Sequence, residues 1–139
     1  MITSDDVIMI RWGVITVEGI ERAEWLSTEV KKNLGKVAYF AVVPGTAPIP
    51  DEPARKRMSE SLKLLQGVCE NINLVFEGKG LKIAAARSVA ASIFLVSGNR
   101  KMCMFSTLEE AFQKQRPADA AKLSALALQN GIYLPASAP

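Results

Sequence analysis

Two acids, Asp51 and Glu52, stand directly before Pro53, and a basic triplet, Arg55-Lys56-Arg57, follows within a single helical turn. They close the proline- and glycine-rich stretch GTAPIPDEPARKR, residues 45–57. Carboxylates at a helix start satisfy free backbone N–H groups and suit the positive end of the helix dipole. Arginines in the first turn offer a two-pronged donor to a carboxylate or phosphate. A phosphate-binding loop is disfavoured, because the stretch lacks a glycine-rich backbone and a Gly-Lys-Ser/Thr ending. Two readings remain: a stiff connector with good capping, or a partner-docking edge formed by Thr46, Asp51, Glu52 and Arg55. Arg87, inside AAARSVAAS, either rests at a rim with its stem packed or faces the carboxyl ends of the strands near this loop. In the second case it joins Glu52 and Arg55 in a charged patch suited to a protein partner.

A second constellation is Gly78, Lys79, Gly80 and Lys82. Glycines before a helix can turn backbone N–H groups toward an anion, with the lysines adding charge. The alternative is a strand-to-helix turn that needs positive φ.

The chain has no histidine. That removes the commonest general base near neutral pH and the commonest metal ligand, and with them Ser-His-Asp and Cys-His catalysis. No nucleophile–base pair stands out, so the chain reads as a non-enzyme with no cofactor and no metal. Cys69 and Cys103 sit in apolar settings and read as buried free thiols of a reducing compartment. Net charge is only +3, from 17 bases and 14 acids, with no aromatics interleaved among the bases, which argues against nucleic acid. The N-terminus does not resemble a signal peptide, and the apolar runs are too short to span a bilayer. A cytoplasmic protein without membrane insertion is expected.

The elements that must hold these groups follow from periodicity. Two β-branched runs, 7–12 and 14–17, flank Gly13 and predict an antiparallel hairpin. A helix is predicted over 20–34, with Ala23, Leu26, Val30 and Leu34 on one stripe and Gly35 as its stop. VAYFAVV, 37–43, is apolar on both faces, as in a central strand covered by helices. A helix over 53–70, a strand over 72–77, a helix over 81–97, a strand over 102–105 and a helix over 108–115 follow. Ser106 or Thr107 and a glutamate three residues on make a capping box for the last of these. Residues 118–129 form a weaker helical segment, either packed back or used for self-association, and 131–139 read as a tail. Trp12 and Trp25 are core or hairpin residues, or interface anchors if exposed. Ser59 and Ser61 are expected on an outer helix face. The order β-β-α-β-α-β-α-β-α implies an α/β fold with a mostly parallel sheet of about five strands, its antiparallel edge supplied by the hairpin.

This order, the strand VAYFAVV before a candidate loop and the closing TLEEAF resemble the STAS domain of bacterial anti-sigma-factor antagonists over about residues 5–116. The resemblance implies a STAS-like domain at 1–116 with a helical extension and flexible tail at 117–139. In that family an Asp-Ser-x-Gly motif opens the second helix and its serine is phosphorylated by a partner kinase. Here the matching residues are Asp51-Glu52-Pro53-Ala54, so Glu52 stands at the serine position and brings no hydroxyl. The resemblance therefore implies a signalling or scaffolding module that binds a protein partner without a serine switch, with homo-oligomerisation open. The alternative is a small-molecule or lipid-binding domain of SpoIIAA-like fold. Its pocket would lie between the sheet and the second and third helices, near Gly78 to Lys82.

Overall fold

The computed structural model describes residues 1–78, 80–97 and 101–132. The strands are β1 (Ile2–Ser4), β2 (Val7–Arg11), β3 (Ala38–Val43), β4 (Asn71–Phe76) and β5 (Met102–Phe105). The helices are α1 (Val17–Leu34), α2 (Glu52–Val68), α3 (Leu81–Ser97), α4 (Leu108–Gln115) and α5 (Ala120–Gln129). One five-stranded sheet runs in sequence order β1-β2-β3-β4-β5. Only the β1–β2 pair is antiparallel. The fold is thus α/β with a mixed, mostly parallel sheet, consistent with a STAS-like α/β fold.

Adjacent parallel strands joined by right-handed crossovers place successive helices on the same face. Side chains alternate along each strand, so the sheet sorts them into two cores. On one face Ile8, Ile10, Tyr39, Ala41, Ile72, Leu74 and Phe76 meet Ile20 of α1, Leu62 and Leu65 of α2, and Ile83 and Ala90 of α3. On the other, Val7, Met9, Phe40, Val42 and Val75 meet Leu108 and Phe112 of α4 and Leu123 and Ala127 of α5. This double coverage explains why β3 is buried along almost its whole length and, Tyr39 apart, apolar. It also settles the place of the C-terminal segment among the described residues. Helix α5 is part of the second core with Ile132, and the rest of the expected tail, 133–139, lies outside the described residues.

The expected hairpin about Gly13 is corrected. Residues 14–17 form no strand, although VITV has strong β propensity. Thr16 caps α1 instead: its Oγ1 accepts a hydrogen bond from the Gly19 N–H at 3.1 Å. A Ser/Thr cap at a helix start outcompetes a short strand with no neighbour to pair with. The antiparallel partner of β2 is β1, and the turn is Asp5-Asp6, between the paired Ser4 and Val7. Asp5 has φ 50, a conformation that aspartate tolerates better than most residues.

That turn is fastened from below. The Arg116 guanidinium donates to both carboxylate oxygens of Asp6, at 2.6 and 3.2 Å, and also to Glu70. Burial pushes the pKa of Asp6 up, but the hydrogen bond and charge of Arg116 outweigh it and hold the carboxyl below its ordinary value of 3.8. A lowered folded pKa means stability that is present above the unfolded value and lost as pH falls through the folded one. Asp6→Asn is therefore expected to be less stable at neutral pH, by about 2 kcal/mol for the loss of a partly buried, charge-assisted hydrogen bond. The gap to the unmodified protein should close below pH 4, as urea unfolding across pH would show.

Candidate ligand cavity

The loop after β3 does more than connect. Gly45 lies against the loop after β4, where a Cβ would sit 2.9 Å from the Glu77 carbonyl oxygen and 3.7 Å from the Gly78 Cα. Only glycine fits such backbone contact. Gly78 itself has φ +94. The two stretches singled out separately in the sequence, 45–57 and 77–82, are therefore neighbours at the carboxyl end of the sheet.

Together they close a cavity of about 300 Å³ between the sheet, α2 and α3. Its floor is Tyr39, Val43, Leu74 and Phe76, its roof Ala47, Pro48, Ile49 and Pro50, and its sides Met58 and Leu62 from α2 and Ile83, Ala86 and Ala90 from α3. Trp12 closes one end, its ring held against Gly19, where a Cβ would meet the indole at 2.9 Å. The lining is almost wholly apolar, as in cavities for small organic ligands, and its volume stands at the lower end of their range. Among the described residues, three ionisable side chains reach it: Arg55, Lys82 and Tyr39. Arg55 and Lys82 are exposed and stand at the mouth. Neither forms an ion pair among the described residues. Tyr39 is 2% exposed, and its hydroxyl has no hydrogen-bond partner among the described residues. Burial, with the nearby Cys69 and Glu24, pushes that hydroxyl far above the ordinary phenol range and keeps it protonated. The hydroxyl oxygen is not among the fully buried unpartnered atoms, so it faces the open space of the cavity, where water or a ligand oxygen can pair with it.

The other predicted site residues have separate places. Asp51 caps α2, accepting from the Ala54 N–H at 2.9 Å, and Glu52 is exposed beside it. Thr46 is exposed and faces a different recess, with Arg11, Asn130 and Ile132. Arg87 does not join Glu52 and Arg55: it donates to Ser106 Oγ at 2.9 Å, at the end of β5, and its buried Nε has no partner among the described residues. Gly80 has φ +108, the positive-φ turn before α3. Lys79 lies outside the described residues. Arg57, next to the mouth in sequence, is turned away. It donates to both carboxylate oxygens of Glu24 on α1, at 2.7 and 2.5 Å, which fastens α2 to α1. Of the basic triplet, Arg55 is therefore the member that meets the cavity.

Sequence reasoning missed Tyr39 and Trp12 as cavity residues. A tyrosine within an otherwise apolar strand carried a signal, since its hydroxyl needs a partner. Among the rest, Ser61 is buried, against its expected outer position, and Trp25 is exposed on α1. Cys69 and Cys103 are both free, with Cys69 buried and Cys103 only half-buried, because β5 is an edge strand. Burial pushes the Cys69 thiol up to about 12, so iodoacetamide at neutral pH is expected to label Cys103 well before Cys69, as peptide mass mapping would show. No group of three or more potential ligands for a metal ion occurs among the described residues. No helix among them is long and apolar enough to cross a membrane. Comparison with protein-family models, with curated proteins and with solved structures gives no significant match.

Proposed function

We propose that this domain is a non-catalytic binder of a small, largely apolar molecule, held between the sheet, α2 and α3 beneath the proline-rich loop. The observation that carries this reading is the apolar cavity of about 300 Å³, open at one end, with the Tyr39 side chain in its wall. An open apolar recess that a packed core would have filled exposes apolar surface to water, which a bound apolar molecule would cover. Native mass spectrometry tests the reading. The purified protein is expected to carry an adduct that survives desalting, and Ala86→Trp, which fills the space from α3, is expected to lose it. A bare mass together with no uptake of any apolar probe would count against the cavity as a binding site.

A second reading, a protein-docking surface without a phosphorylation switch, draws on the large apolar side chains exposed near the mouth. Ile49, Leu81 and Val89 are 69%, 91% and 52% exposed, and Glu52 beside them supplies fixed charge. Co-purification compared between the unmodified protein and a Glu52→Lys, Arg55→Glu double variant tests it; unchanged partner capture would remove this docking site.

A further inference from the structure

Charge and depth along the cavity say more about its ligand. Arg55 and Lys82 lie in the first turns of α2 and α3, and both helices begin where the parallel strands end. The charged groups therefore sit at the carboxyl end of the sheet. Tyr39 is the second residue of β3 and Val43 the last. At a strand rise of about 3.3 Å per residue, the tyrosine lies roughly 13 Å deeper. Between the two ends the lining is apolar. No acidic side chain among the described residues lines the cavity; Arg55 and Lys82 are the charged groups in its lining, and the exposed Glu52 lies outside it. At about 30 Å³ for each water-sized group, the volume holds roughly ten of them in a chain.

We propose that the ligand is a single-chain anionic amphiphile of medium length. Its carboxylate or phosphate head lies at Arg55 and Lys82, its chain runs beneath Pro48 and Ile49, and a hydroxyl or oxo oxygen near its far end meets the Tyr39 hydroxyl. This rests on the ligand-binding reading above and adds the ligand's charge, length and polarity. A diacyl lipid is too large for the space, and a compact neutral molecule would leave both the basic mouth and the tyrosine unused.

Isothermal titration calorimetry with four probes tests it, on protein stripped of resident ligand by unfolding in urea and refolding, with native mass spectrometry confirming the bare mass. The probes are decanoate, decyl phosphate, decanol and ω-hydroxydecanoate. A charge-assisted contact at the mouth is expected to make decanoate or decyl phosphate bind at least roughly tenfold tighter than decanol. The tighter of those two identifies the head group. In an Arg55→Gln, Lys82→Gln variant that advantage is expected to vanish while decanol binding stays. The ω-hydroxyl is expected to tighten binding severalfold, and Tyr39→Phe to erase that gain without weakening decanoate. Decanol binding as well as the anions would overturn the anionic head and leave the cavity a binding site. Equal binding of decanoate and ω-hydroxydecanoate would overturn the role of Tyr39. Failure of all four probes on the unmodified protein would overturn both this inference and the reading beneath it. Circular dichroism melting of each variant keeps loss of fold apart from loss of binding.

Discussion

Gly45→Val is expected to lower stability by about 2 kcal/mol, the usual range for a side chain forced into a filled space, and to abolish ligand retention. The new Cβ would lie 2.9 Å from the Glu77 carbonyl oxygen. That neighbour is backbone, not the far end of a flexible side chain, so the loops after β3 and β4 must separate. Separation lifts Pro48 and Ile49 off the cavity and moves Arg55 and Lys82 apart from their common mouth. Urea unfolding measures the first effect and native mass spectrometry the second. Gly67→Ala is the matching control. Gly67 is inside α2, with nothing within 4 Å of an added Cβ, so alanine there is expected to stabilise by about 0.5–1 kcal/mol through helix propensity. Ligand retention should not change. A Gly45→Val protein that keeps both its stability and its adduct would show that the contact of the two loops does not shape the cavity.

That contact also marks the limit of what the sequence reveals. The order of elements was legible, because strands and helices each carry their own period and most ends carry their own stop signals. Asp51 as a cap, Gly35 in the left-handed region and Thr107 before α4 are local chemistry, visible within four residues. The hairpin about Gly13 was misread because VITV is a β-branched run whose cap residue, Thr16, is also a good strand residue. The true partner of β2, Ile2–Ser4, is too short to show a period. The site was half legible. Both loops stood out by composition, but nothing local says that Gly45 touches Gly78, so one cavity read as two separate sites. Tyr39 was hidden for a different reason. In a strand covered on both faces every position looks apolar and the two faces cannot be told apart. Only the register, with Tyr39 opposite Ile72 and Ile8, places it under α2 and α3, while its neighbour Phe40 goes to the other core.

The separation of the two cores makes the last prediction the most discriminating. Phe112→Ala is expected to cost about 3–5 kcal/mol, as for other buried phenylalanines, and to lower the melting temperature by roughly 10 °C or more. Phe112 is fully buried and its ring lies 4.8 Å from that of Phe40, so the deletion leaves a void beneath α4. Yet ligand affinity, measured at a temperature where the variant is still folded, is expected to stay within about twofold, since distant sites with no shared partners behave independently. Phe40 and Tyr39 are consecutive in β3 and point to opposite faces, so the strand itself is the partition between a core that holds the fold and a core that leaves a space. Ala86→Trp is the converse, blocking the cavity while α4 and α5 stay packed. Loss of affinity in Phe112→Ala in proportion to its loss of stability would mean that the strand transmits strain between the faces. In that case the cavity would be a by-product of loose packing around α3 and not a site that the fold holds open.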